Sequence, residues 1–87
     1  MLDKQRRILI PKELMEMNSD RKVYVYYSVE EKLFYLLPEE DEKSFLTAIR
    51  IADNERRLIV PKEILKKYEA KDVLLAKKGN RVYLIPN

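Results

Sequence analysis

Two arginine pairs are the residues in this sequence best suited to chemistry. Arg6-Arg7 follows Asp3-Lys4-Gln5, and Arg56-Arg57 follows Asp53-Asn54-Glu55. A guanidinium fork matches phosphate oxygens, or the edge of guanine, with two parallel hydrogen bonds. Gln5 and Asn54 carry amides able to pair with adenine. The chemistry on offer is recognition of double-stranded DNA. One candidate cluster is Lys4, Gln5, Arg6 and Arg7. The other is Asn54, Arg56 and Arg57, joined by Arg50 on the preceding strand. A second arrangement stays open. Arg7 and Arg57 each stand four residues after an aspartate and can pair with it across a turn, which leaves Arg6 and Arg56 as the DNA contacts. Glu55 opposes phosphate in the second turn, so the first turn is expected to contribute more. Lys12 and Lys62 read as solvated helix positions.

Other chemistries lack their residues. There is no histidine and no cysteine, so the usual general base, thiol nucleophile and soft metal ligands are missing. A single glycine cannot build a phosphate loop. An enzyme is not expected, nor is a cofactor or a metal. Glu39-Glu40-Asp41-Glu42 lacks the ligand spacing of a calcium loop. Tyr24, Tyr26, Tyr27 and Tyr35 have the rings to stack on bases, but their strand positions favour packing.

The chain of 87 residues carries a net charge of +3. Residues 1–38 hold +1, residues 39–50 hold −2 and residues 51–87 hold +4. No apolar run approaches the roughly 20 residues of a membrane span, and the N-terminus does not read as a signal peptide. The expectation is a cytoplasmic, nucleoid-associated protein with no membrane partner.

The sequence repeats itself. At a shift of fifty, Asp3, Arg6, Arg7, Pro11, Lys12 and Glu13 match Asp53, Arg56, Arg57, Pro61, Lys62 and Glu63. Val23 matches Val73 at the same shift. Further on the shift becomes forty-eight, where Tyr35 matches Tyr83 and Pro38 matches Pro86. Two residues have been lost between Val25 and Leu33 in first-copy terms, which places a loop there. Such a unit buries its apolar face only against its twin.

These elements must position the arginines. Arg7 to Ile10 is a short β-branched run ended by Pro11, which suits a helix start. Lys12 to Met17 sets Leu14 and Met17 three apart, and the second copy sets Ile64 and Tyr68 four apart, so each is a helix of about two turns. Lys22 to Tyr27 and Leu33 to Leu37 read as strands about a turn at Ser28 to Lys32. Asp72 to Ala76 and Arg81 to Ile85 read as strands about Gly79-Asn80, both residues taking positive φ. Several strands are apolar on both faces, which predicts a small closed barrel or an oligomer contact. Residues 39–46 read as an acidic linker that is helical, its carboxylates at the helix start. Thr47 to Ala52 reads as a strand folding back onto Arg57 to Val60. The equivalent strand ahead of Asp3 is cut to Met1-Leu2.

Strand, Asp-x-x-x-Arg, Ile/Val-Pro, short helix and two strands together resemble the AbrB/SpoVT swapped-hairpin domain. Asp3/Arg7 with Ile10-Pro11 and Asp53/Arg57 with Val60-Pro61 carry the resemblance. The tandem copy is most similar to the MraZ type, which is related to MazE antitoxins. The resemblance implies a mainly β fold with short helices, in which repeats 1–38 and 47–87 form one pseudo-twofold small barrel. It further implies sequence-specific DNA binding by a homo-oligomeric transcription regulator. The alternative is a protein-interaction module on the same scaffold, with an antitoxin-like protein partner. Where the family usually has Gly before the motif Arg, this chain has Arg6 and Arg56, so both turns must accept a side chain.

Overall fold

A computed structural model describes residues 2–16 and 20–87. The chain runs β1 (Arg7–Leu9), α1 (Lys12–Glu16), β2 (Lys22–Ser28), β3 (Leu33–Leu37), β4 (Phe45–Ile51), β5 (Arg57–Ile59), α2 (Lys62–Tyr68), β6 (Val73–Lys78) and β7 (Arg81–Pro86). The fold is mainly β, with short helices and two antiparallel sheets. One sheet is the β1–β5 ribbon; the other has the order β4-β2-β3-β7-β6. Among the described residues, no helix is long and apolar enough to cross a membrane. Met17, the expected partner of Leu14 on its helix, lies outside the described residues, as does Met1.

The two repeat shifts reappear as two pairing registers. In the ribbon, Ile8 faces Leu58, its equivalent fifty residues on. In the large sheet, Tyr35 faces Tyr83, its equivalent forty-eight residues on. In both sheets, repeat-equivalent residues therefore sit opposite each other. The two-residue deletion changes the shift without disturbing the relation because it falls in the β2–β3 turn.

Side-chain alternation divides the core between the two faces of the large sheet. Val23, Val25, Phe34, Leu36, Val82 and Leu84 point to one face, where they meet Ile8, Ile10, Leu58 and Val60 of the ribbon and Leu14 and Ile64 of the helices. Tyr26, Tyr35, Leu37 and Tyr83 form a second cluster, with Tyr26 and Tyr35 stacked at 5.6 Å and Tyr35 also 5.6 Å from Tyr83. The tyrosines are therefore packing residues.

Residues 39–46 correct the expectation of a helix. They form bends and turns, and β4 already begins at Phe45. Asp41 takes the backbone for itself: its Oδ1 accepts from Lys43 N at 3.1 Å and its carbonyl from Ser44 N at 3.2 Å. A local side-chain turn of this kind competes with helix. The segment then closes over the tyrosines. Asp41 N donates to Tyr26 Oη at 2.5 Å, and Tyr35 Oη donates to Ser44 Oγ at 2.7 Å. The strand that follows pairs with β2, not with β5: Lys22 faces Ile51 and Val25 faces Ala48. The long edge of β2 offers a seven-residue partner, whereas β5 is three residues long and is taken by β1. In the β6–β7 turn only Gly79 takes positive φ, at 64°; Asn80 does not.

Tyr68 on α2 is built into the large sheet. Its hydroxyl accepts from Phe34 N at 2.6 Å and donates to the Leu84 carbonyl at 2.6 Å, bridging residues that face each other across β3 and β7. Removing the hydroxyl strands a donor and an acceptor. Tyr68→Phe is expected to cost about 2 kcal/mol, read as a fall in melting temperature with the β circular dichroism unchanged.

Candidate nucleic-acid interface

The two arginine turns have the same internal wiring. In the first, Asp3 Oδ1 accepts from Gln5 N and Arg7 N, both at 2.9 Å. In the second, Asp53 Oδ1 accepts from Glu55 N at 2.8 Å and Arg57 N at 2.9 Å. Main-chain bonds close each turn: Arg6 N to the Asp3 carbonyl at 3.0 Å and Arg56 N to the Asp53 carbonyl at 3.1 Å. The aspartate is required because one short carboxylate must satisfy two amide donors two and four residues ahead.

That geometry puts the third residue after each aspartate in the left-handed region. Arg6 has φ 61° and Arg56 has φ 62°. A β-carbon there costs roughly 1–2 kcal/mol per residue. Glycine would avoid the cost, yet both positions hold arginine. Arg6 adds a further cost, since its Nε is buried and meets no acceptor among the described residues.

Each left-handed arginine is held by the other repeat. The Arg56 carbonyl accepts from Ile10 N at 2.9 Å, and the Arg6 carbonyl accepts from Val60 N at 2.8 Å. The two turns thus cap opposite ends of the β1–β5 ribbon. Four residue steps separate their backbones along the strand, ~13 Å at a rise of about 3.3 Å per residue. Ile8 and Leu58 face the core, so Arg7, Leu9, Arg57 and Ile59 take the alternate, outer face. Leu9 is 54% exposed and Ile59 49%.

The ion pairs settle part of the open alternative. Arg7 Nε binds Asp3 Oδ2 at 2.8 Å, and its Nη1 lies 3.7 Å from Asp53 Oδ2 of the other turn. Arg57 does not mirror it: its Nη1 lies 3.5 Å from Glu55 Oε2. Lys4 and Gln5 are exposed in the first turn. Asn54 is exposed, and its side-chain oxygen accepts from Arg21 Nη1. Arg50 stands on β4 across from Val23, its guanidinium on the Ile49 carbonyl at 3.0 Å. The structure thus brings Lys4, Gln5, Arg6 and Arg7 together in one turn, and Asn54, Arg56 and Arg57 in the other.

Sequence reasoning missed Arg21, Leu9 and Ile59. Period-two alternation along β1 and β5 would have found the two aliphatics. Nothing marked Arg21, because its equivalent at the shift of fifty is Lys71.

A cavity of about 440 Å³ lies elsewhere, between Leu14, Leu37 and Val82, with Glu13, Glu39 and Glu40 among its walls. Its carboxylates make it hostile to a polyanion.

The backbone donors of Arg7 and Arg57 are the main reason that Asp3 and Asp53 lie below the usual carboxylate range. A carboxylate whose pKa is lowered on folding contributes stability above its unfolded value, about 3.9, and loses it as pH falls through the folded value. Melting temperature followed from pH 6 to pH 2 is expected to drop more steeply for the wild type than for the Asp3→Asn, Asp53→Asn double variant.

Comparison with protein-family models, with curated proteins and with solved structures gives no match.

Proposed function

We propose that this chain is a sequence-specific double-stranded DNA-binding regulator that reads DNA with the outer face of the β1–β5 ribbon. The observation that carries the reading is the pair of left-handed arginines. Backbone strain held twice, at equivalent positions, where glycine would be free of it, points to work done by the side chain. The AbrB/SpoVT resemblance agrees, since each repeat's first strand pairs with the other's, as in interleaved hairpins.

The dimensions suit a duplex. A two-stranded ribbon fits the B-DNA major groove, which is about 12 Å wide. Arg6 and Arg56, at the ribbon ends, reach phosphates on the two walls. Leu9 and Ile59 supply apolar contact for thymine methyls between them. The internal twofold favours a pseudo-palindromic site, and the differences between Lys4 and Asn54 and between Gln5 and Glu55 make its halves unequal.

Selection of duplexes from a random pool, followed by a salt series on the winners, tests this. Contact with roughly 4–8 phosphates gives a log–log slope of about −0.9 for each. A pool that leaves no retained duplex at physiological salt overturns the reading. In that event the exposed Leu9 and Ile59 would favour a protein partner on the same ribbon.

A further inference from the structure

The five-stranded sheet ends at β4 on one side and at β6 on the other. The two edges differ. β6 finishes in exposed Lys77 and Lys78, and lysines on an edge oppose pairing with another chain. β4 carries one charge, Arg50, in seven residues. Its large apolar side chains are open: Phe45 is 70% exposed, Ile51 64%, and Leu46 and Ile49 45% each. Ile49 and Ile51 stand at alternate positions beyond a bulge at Thr47, the pattern of a strand face made for β-branched neighbours.

We propose that β4 pairs antiparallel with β4 of a second copy of this chain, about a twofold axis near Ile49, so that two five-stranded sheets become one. The charge pattern selects a second copy and this orientation. Four carboxylates, Glu39 to Glu42, precede the strand, whereas Arg50, Arg56 and Arg57 outnumber Asp53 and Glu55 at its far end. Antiparallel self-pairing lays the acidic end of each copy beside the basic end of the other. Parallel pairing would set acid against acid. On the axis Ile49 meets its own counterpart, a β-branched pair that stabilises neighbouring strands. A contact of this kind uses the same patch on both copies and closes at two. A standard interface buries about 800 Å² per partner. Four half-exposed large side chains and one strand edge sit at the low end of that scale, which sets dissociation in the micromolar range.

The absence of cysteine from the sequence makes the test clean. Opposed β-carbons in an antiparallel pair lie about 4.5–5.5 Å apart, near the reach of a disulfide. With oxidised glutathione as oxidant, Ile49→Cys is expected to give a covalent dimer, and Leu74→Cys on the other edge is not. Sedimentation equilibrium of the unmodified chain is expected to show mass doubling over tens of micromolar. Ile49→Lys is expected to weaken that association at least tenfold with the melting temperature unchanged. A single-chain mass up to millimolar concentration overturns the proposal. So does an assembly larger than two, equal cross-linking of both cysteine variants, or a dimer indifferent to Ile49→Lys.

Discussion

Replacing both left-handed arginines by glycine is expected to raise the melting temperature and to remove the proposed duplex binding. The stability side follows from the backbone. Each arginine sits at a φ near 60°, where a β-carbon costs roughly 1–2 kcal/mol. Glycine removes that cost but carries more conformational entropy in the unfolded chain, on the order of 0.5–1 kcal/mol. The net gain for Arg6→Gly with Arg56→Gly is about 1 kcal/mol, a rise of roughly 4–8 °C for a domain of this size. The binding side follows from charge. A hydrogen bond to an ionised partner is worth about 1.5–3 kcal/mol, so losing both arginines is expected to cost at least 100-fold in duplex affinity. Arg6→Ala with Arg56→Ala separates the two effects. Alanine keeps its β-carbon in the left-handed region, so that variant is expected to lose binding and to gain only the relief of the buried Arg6 Nε, less than the glycine variant gains. Differential scanning calorimetry beside fluorescence anisotropy reads both quantities. A destabilised glycine variant would show that the arginines hold the turns together.

Leu58→Ala is expected to cost about 3 kcal/mol, within the 2–5 kcal/mol usual for a buried leucine. Leu58 is 1% exposed and faces Ile8 across the ribbon. The ribbon has only two strands, so it relies on these inward side chains to stay on the large sheet. A loss of 3 kcal/mol is a large share of the 5–15 kcal/mol that holds a typical domain together. Leu9→Ala is the matched control. Leu9 is 54% exposed on the same ribbon, and its truncation is expected to change stability by less than about 0.5 kcal/mol. Urea denaturation checks the pair. Similar losses for the two variants would contradict the inward and outward division of the ribbon.

The repeat made most of the fold legible in the sequence. Shared Asp-x-x-Arg-Arg, aliphatic run and Pro-Lys-Glu located β1, β5 and both helices, because local turn chemistry and proline fix those boundaries. The hairpins showed through aromatic and β-branched runs. What stayed hidden was tertiary. The acidic linker has good helix formers and a favourable charge order, but Asp41 folds it locally and the tyrosine hydroxyls hold it across the sheet. Choosing β2 over β5 as the partner of β4 depends on which edge is free, a property of the whole sheet. At the site, the turn itself was legible but not its aspartate cap on two amides, and the aspartate–arginine side-chain pair was realised at Arg7. The pairing of Arg57 with Glu55, and of Arg21 with Asn54, depends on side-chain reach between neighbouring turns and leaves no periodic trace.

Amide chemical-shift mapping during titration with a selected duplex tests the central claim most directly. The account predicts that the shifts concentrate in residues 3–9 and 53–59, strongest at the first turn because Glu55 weakens the second. Shifts gathered instead on β4 or around the acidic segment 39–44, with the two arginine turns unmoved, would contradict it.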